Sequence, residues 1–186
     1  DSSNGFYITG PESSFKNNGI IKLSSGNYNT GVLVTNNANF SNTGNITLEN
    51  SNSSIGINLT DGGTLTANTG TINLSGNSTG IAGENATIYS SGAIIGTNSQ
   101  YGIFGRTSYI ENSGSIKMEQ GTALSLLDGS TLINSGLLDS TVEGTGIRAL
   151  TDLTPLGFWD IPMITSIPEI VYLAPTNVEE YFAMMD

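Results

Sequence analysis

The chain has 186 residues, 37% of them hydrophobic and only 11% charged, with 24 glycines, no cysteine and no histidine. This composition excludes disulfides and a thiol active site, and removes the commonest acid-base residue and metal ligand. A net charge of −11 set against five basic residues (Lys16, Lys22, Arg106, Lys117 and Arg148) argues against nucleic-acid binding, and no apolar run is long enough for a membrane span.

From the N-terminus, "NGFYI" around Gly5 reads as the second half of a truncated repeat, because it lies as far before Gly19 as Gly56 lies before Gly70. "KNNGIIKL" at 16–23 then returns as "SNTGNITL" at 41–48 and "ANTGTINL" at 67–74. Alignment on Asn-x-Gly places Gly19, Gly44, Gly70, Gly92, Gly114 and Gly136 at successive spacings of 25, 26, 22, 22 and 22 residues, which is a repeat architecture. A second glycine follows in "TGVLV", "IGINL", "TGIAG", "YGIFG" and "TGIRA", with Ala123 in its place in the fifth repeat.

Apolar residues two apart are the strand period and exclude a helical solenoid. One column runs Ile21, Ile46, Ile72, Ile94, Ile116 and Leu138; a second runs Val32, Ile57, Ile81, Ile103, Leu124 and Ile147; a third runs Phe15, Phe40, Leu65, Ile88, Ile110 and Leu132, with an offset of one residue at Leu65. The spacing therefore predicts an all-β parallel β-helix over residues 1–150, of about six and a half coils with three short strands each. Right-handedness follows from the usual preference of parallel crossover connections. Coils stacked at roughly 4.8 Å make a rod of about 30 Å.

Asn17, Asn42, Asn68, Asn112 and Asn134 are expected to stack into a ladder whose amides bond from coil to coil, with Ser90 as its one break. The corner glycines supply positive φ or close backbone approach, and the Asn tolerates left-handed geometry. Repetition is what a corner needs and a binding site does not, so the ladder reads as structural. Asp128, Asp139, Glu143 and Arg148 form the nearest approach to a carboxylate cluster and read as solvated turn residues. The chain is expected to be no enzyme and to use no cofactor or metal. The sequons at Asn39, Asn45, Asn52, Asn58, Asn77 and Asn85 follow from composition. The outward column Lys22, Thr47, Asn73, Ile95, Lys117 and Asp139 is too irregular for an ice-binding face.

At residue 151 the pattern changes. Residues 151–186 carry four of the five prolines, the only Trp and six acids without a base. Pro162, Pro168 and Pro175 exclude a helix over the first part. Thr176 with Glu179 forms a capping box, which predicts a short C-terminal helix whose apolar face must dock. This segment is expected either to cap its own rod, the favoured of the two, or to join rods into a fibre. Phe158, Trp159, Tyr172, Tyr181 and Phe182 are the candidate contacts.

The series "NTGTINLSGNSTGI" and "NSGSIKMEQGTAL" resembles the passenger repeats of bacterial autotransporter adhesins over residues 5–150. The resemblance implies export, display outside the cell, and adhesion or self-association; nothing here resembles the outer-membrane barrel of such proteins. The expected function is thus a non-enzymatic, extracellular structural or adhesive solenoid. Its expected partners are copies of itself, through rod ends and tail, and host or bacterial surface ligands. The alternative is a carbohydrate-binding or carbohydrate-cleaving β-helix.

Overall fold

The computed structural model describes residues 3–140 and 144–150. These form an all-β parallel solenoid of about six coils, each contributing one strand to each of three sheets. Sheet A has seven strands, from Asn4–Thr9 through Thr30–Thr35, Ile55–Thr60, Thr79–Glu84, Tyr101–Arg106 and Thr122–Leu127 to Thr145–Leu150. Sheet B has six, from Ser14–Asn17 to Thr131–Asn134, and sheet C has six, from Ile20–Asn27 to Leu137–Ser140. Every pairing is parallel and joins a strand to its copy one coil away. No helix occurs among the described residues, and so none is long and apolar enough to cross a membrane. The expected C-terminal helix lies at 176–186, outside the described residues.

The three apolar columns are the core. Val32 pairs with Ile57, Ile57 with Ile81, Ile81 with Ile103 and Ile103 with Leu124 on sheet A, and these five side chains are fully buried. Phe40, Leu65, Ile88 and Ile110 do the same on sheet B, and Ile46, Ile72, Ile94 and Ile116 on sheet C. One coil cannot bury these faces; a stack can, and at about 25 cal/mol per Å² of apolar surface removed from water the columns supply the main drive to fold. Phe6, Phe15 and Phe40 extend the core toward the first coil as a stacked aromatic column, with centroids 4.7 and 5.6 Å apart.

The unequal repeat lengths have identifiable sources. The first two coils insert two extra residues between sheets C and A (Ile20 to Thr30, against Thr71 to Thr79) and one between sheets A and B (Thr30 to Asn39, against Thr79 to Thr87). The second coil adds one more, and this is the offset noted at Leu65. Phe40 pairs with Leu65 but Ser41 pairs with Ala67, so Thr66 is expelled as a β-bulge. Its hydroxyl donates to the Phe40 carbonyl at 3.0 Å, which stabilises the bulge.

Candidate functional site

The Asn-x-Gly corner between sheets B and C is where sequence reasoning concentrated its candidates. Asn17 Nδ2 donates to Asn42 Oδ1, Asn42 to Asn68 and Asn112 to Asn134, each at 2.8 Å. Asn42, Asn68 and Asn112 are fully buried. The same Nδ2 also reaches the carbonyl two residues on: Asn17 to Gly19 at 3.3 Å, Asn42 to Gly44 at 3.2 Å and Asn134 to Gly136 at 3.1 Å. One amide thus closes its own corner and ties it to the next coil. Buried polar groups must be paired, and this pattern meets the requirement in the middle of an apolar stack.

Ser90 interrupts the ladder. It accepts from Asn68 at 3.2 Å but is too short to serve the next coil, and the buried Oδ1 of Asn112 has no partner among the described residues. Replacing Ser90 by Asn is expected to supply the missing donor and raise stability by about 1 kcal/mol, measured as a higher urea midpoint at unchanged slope.

The corner glycines serve close approach alone. Positive φ occurs at other glycines, Gly10, Gly26, Gly62, Gly76, Gly121 and Gly129, and not at the Asn-x-Gly corners. A Cβ on Gly44 would overlap the carbonyl oxygen of Gly19, one on Gly70 that of Gly44, and the same holds at Gly92, Gly114 and Gly136. Gly19 differs: its nearest obstacle is Asn17 Oδ1 at 3.9 Å. The expectation of left-handed geometry at the ladder asparagines is also corrected. The left-handed non-glycine residues are elsewhere, at turn positions such as Asn36, Asn37, Asp61, Asn85 and Asp128.

Sequence reasoning missed the serines that close the other corners. Buried Ser54, Ser78, Ser99 and Ser108 each donate to the carbonyl two residues back, on Asn52, Gly76, Thr97 and Arg106. Ser54 also accepts from the Asn29 amide of the preceding coil, and Ser108 from the Ala86 amide. Their signal was a serine one or two residues ahead of a strand, before the sheet A strands that begin at Ile55, Thr79 and Tyr101 and the sheet B strand that begins at Tyr109, submerged in a serine-rich background.

The acids are separated by the fold. Asp128 pairs with Arg106 at 3.1 Å at a turn after sheet A, whereas Asp139 faces Lys117 at 3.7 Å on sheet C. Lys22 pairs with Glu49 at 2.9 Å. All three are exposed pairs of small energetic weight. Glu143 lies outside the described residues, as do Phe158, Trp159, Tyr172, Tyr181 and Phe182.

The terminal coils are the other distinctive surface. At the first coil Phe6, Tyr7, Ile20 and Tyr28 are exposed; at the last, Ile133, Leu137 and Ile147 are. Within the described residues the strands of these coils are paired on one side only. No family model, curated protein or solved structure matches the chain.

Proposed function

We propose that the protein is a non-enzymatic, extracellular structural or adhesive module that is displayed at a surface or builds fibres, and that it associates with copies of itself through the ends of the solenoid. The observation carrying this reading is the pair of terminal coils. Among the described residues, each combines one-sided strand pairing with exposed large apolar side chains, and edges of that kind template further β-pairing. The two ends are different surfaces of one molecule, so their contact is heterologous and propagates as a fibre. The buried corner motifs are consumed by folding, which leaves the ends and the outward faces for recognition. The resemblance to autotransporter passenger repeats supports display outside the cell. In this reading the segment 151–186 either joins neighbouring rods or caps one.

Negative-stain electron microscopy of the full chain beside a version ending at residue 150 separates those roles. Filaments from the full chain alone are expected if the segment joins rods. Aggregation of the shortened chain, with a monomeric full chain, would make the segment a cap and remove the fibre reading.

A further inference from the structure

Sheet B carries an outward patch that neither the core nor the corners use. Tyr89 stands in register with Glu111 of the next coil, and Tyr109 lies two residues before Glu111 on the same face. The two tyrosine rings are 5.9 Å apart and tilted by 57°. The Tyr109 hydroxyl donates to Glu111 Oε2 at 3.2 Å, which fixes the carboxylate and leaves its other oxygen as an acceptor. Partial burial, and then the Glu111 charge, hold the Tyr109 phenol above its ordinary value of 10.0, so it remains a donor at neutral pH. Glu111 forms no ion pair among the described residues.

On the preceding coil the bulge places Thr66 and the small Ala67 opposite Tyr89. The step between a methyl group and a phenol leaves Tyr89 40% exposed. Thr66, Ala67, Tyr89, Ser91, Glu111 and Ser113 surround a depression of about 250 Å³ there. Its lining combines an aromatic face, a carboxylate oxygen, the Thr66 and Ser91 hydroxyls, whose protons go to the Phe40 and Asn68 carbonyls and whose oxygens can accept, and the Ser113 hydroxyl, which can also donate, with no cationic side chain among the described residues.

That set matches a neutral sugar. An exposed tyrosine offers a flat apolar surface to the C–H face of a pyranose, and Glu111 can accept from neighbouring hydroxyls in charge-assisted bonds. Acidic sugars and phosphates are disfavoured by Glu111 and by the chain's net charge of −11. A quaternary ammonium group would also suit the tyrosines and the carboxylate, but has no N–H to give to the serine and threonine hydroxyl oxygens. We infer that this face of sheet B is a subsite for a single neutral pyranose ring of a glycan. The inference rests on the adhesive half of the proposed function and is independent of end-to-end association.

Saturation-transfer NMR on the full chain tests it, with the methyl glycosides of glucose, galactose, mannose and N-acetylglucosamine, and choline as the cationic alternative. Transfer to the ring C–H protons of at least one glycoside is expected. Its affinity should fall at least about tenfold in Tyr89→Ala and in Glu111→Gln, and persist in Tyr89→Phe and in Ile95→Ala on sheet C, with unchanged circular dichroism in all four. Silence from every glycoside, binding of choline alone, or undiminished binding by Tyr89→Ala would overturn the subsite. Silence from the sugars by a chain that still assembles end to end would remove the subsite and leave the proposed function standing.

Discussion

Gly70→Ala is expected to destabilise the solenoid by at least about 3 kcal/mol, a large share of an ordinary domain's stability. The added Cβ would overlap the Gly44 carbonyl oxygen and crowd Asn42 Nδ2 and the Thr43 backbone. Backbone atoms cannot rotate away as a flexible side chain would, so the coils must separate. Separation lengthens the bond from the Thr71 amide to the Gly44 carbonyl, now 3.1 Å, and the Asn42 to Asn68 amide bond with it. Gly19→Ala is the matched control. It makes the same change in the same motif, but the nearest atom lies 3.9 Å from the new Cβ, and the expected effect is within about 0.5 kcal/mol. Guanidinium unfolding followed by far-ultraviolet circular dichroism compares the two. Equal midpoints would refute close packing as the reason for the corner glycine.

Asn42→Ala is expected to cost about 4 kcal/mol. The substitution removes the bond from Asn17, the bond to Asn68 and the bond to the Gly44 carbonyl, and leaves the Asn68 Oδ1 without the donor that now serves it. A net contribution of about 1 kcal/mol per bond, with a further penalty for the buried orphan, gives this figure. Asn134 occupies the last rung among the described residues and is exposed, so water can replace what its truncation removes. Asn134→Ala should cost less than about 1 kcal/mol. Thermal unfolding of both variants checks the ordering, and a larger loss at Asn134 would mean that the ladder does not act through its buried rungs.

Much of the fold was legible because the repeat converts local pattern into tertiary contact. Once Gly19 and Gly44 are aligned, Ile21 must stand on Ile46 and Phe15 on Phe40, and these are the observed registers. The reason for the glycine was less legible. Positive φ and close approach both demand glycine, and only the position of the neighbouring coil's carbonyl distinguishes them. The bulge at Thr66 appeared in the sequence as an unexplained offset, since one extra residue can be absorbed at a turn or within a strand. Tyr89 and Glu111 could have been paired from the 22-residue spacing alone. Repetition is strong in the inward columns, whereas an outward patch differs from coil to coil and shows no pattern of its own. Asp128 and Asp139, the nearest approach to a carboxylate cluster in the sequence, stand apart because nearness along the chain means little when each coil sends its strands to three different faces.

Small-angle X-ray scattering of the full chain over a dilution series tests the central claim most directly. Association through the solenoid ends predicts that apparent length grows with concentration while the cross-sectional radius stays constant. A length and mass that hold at the single-chain value throughout, or growth of the cross-section in place of the length, would contradict it.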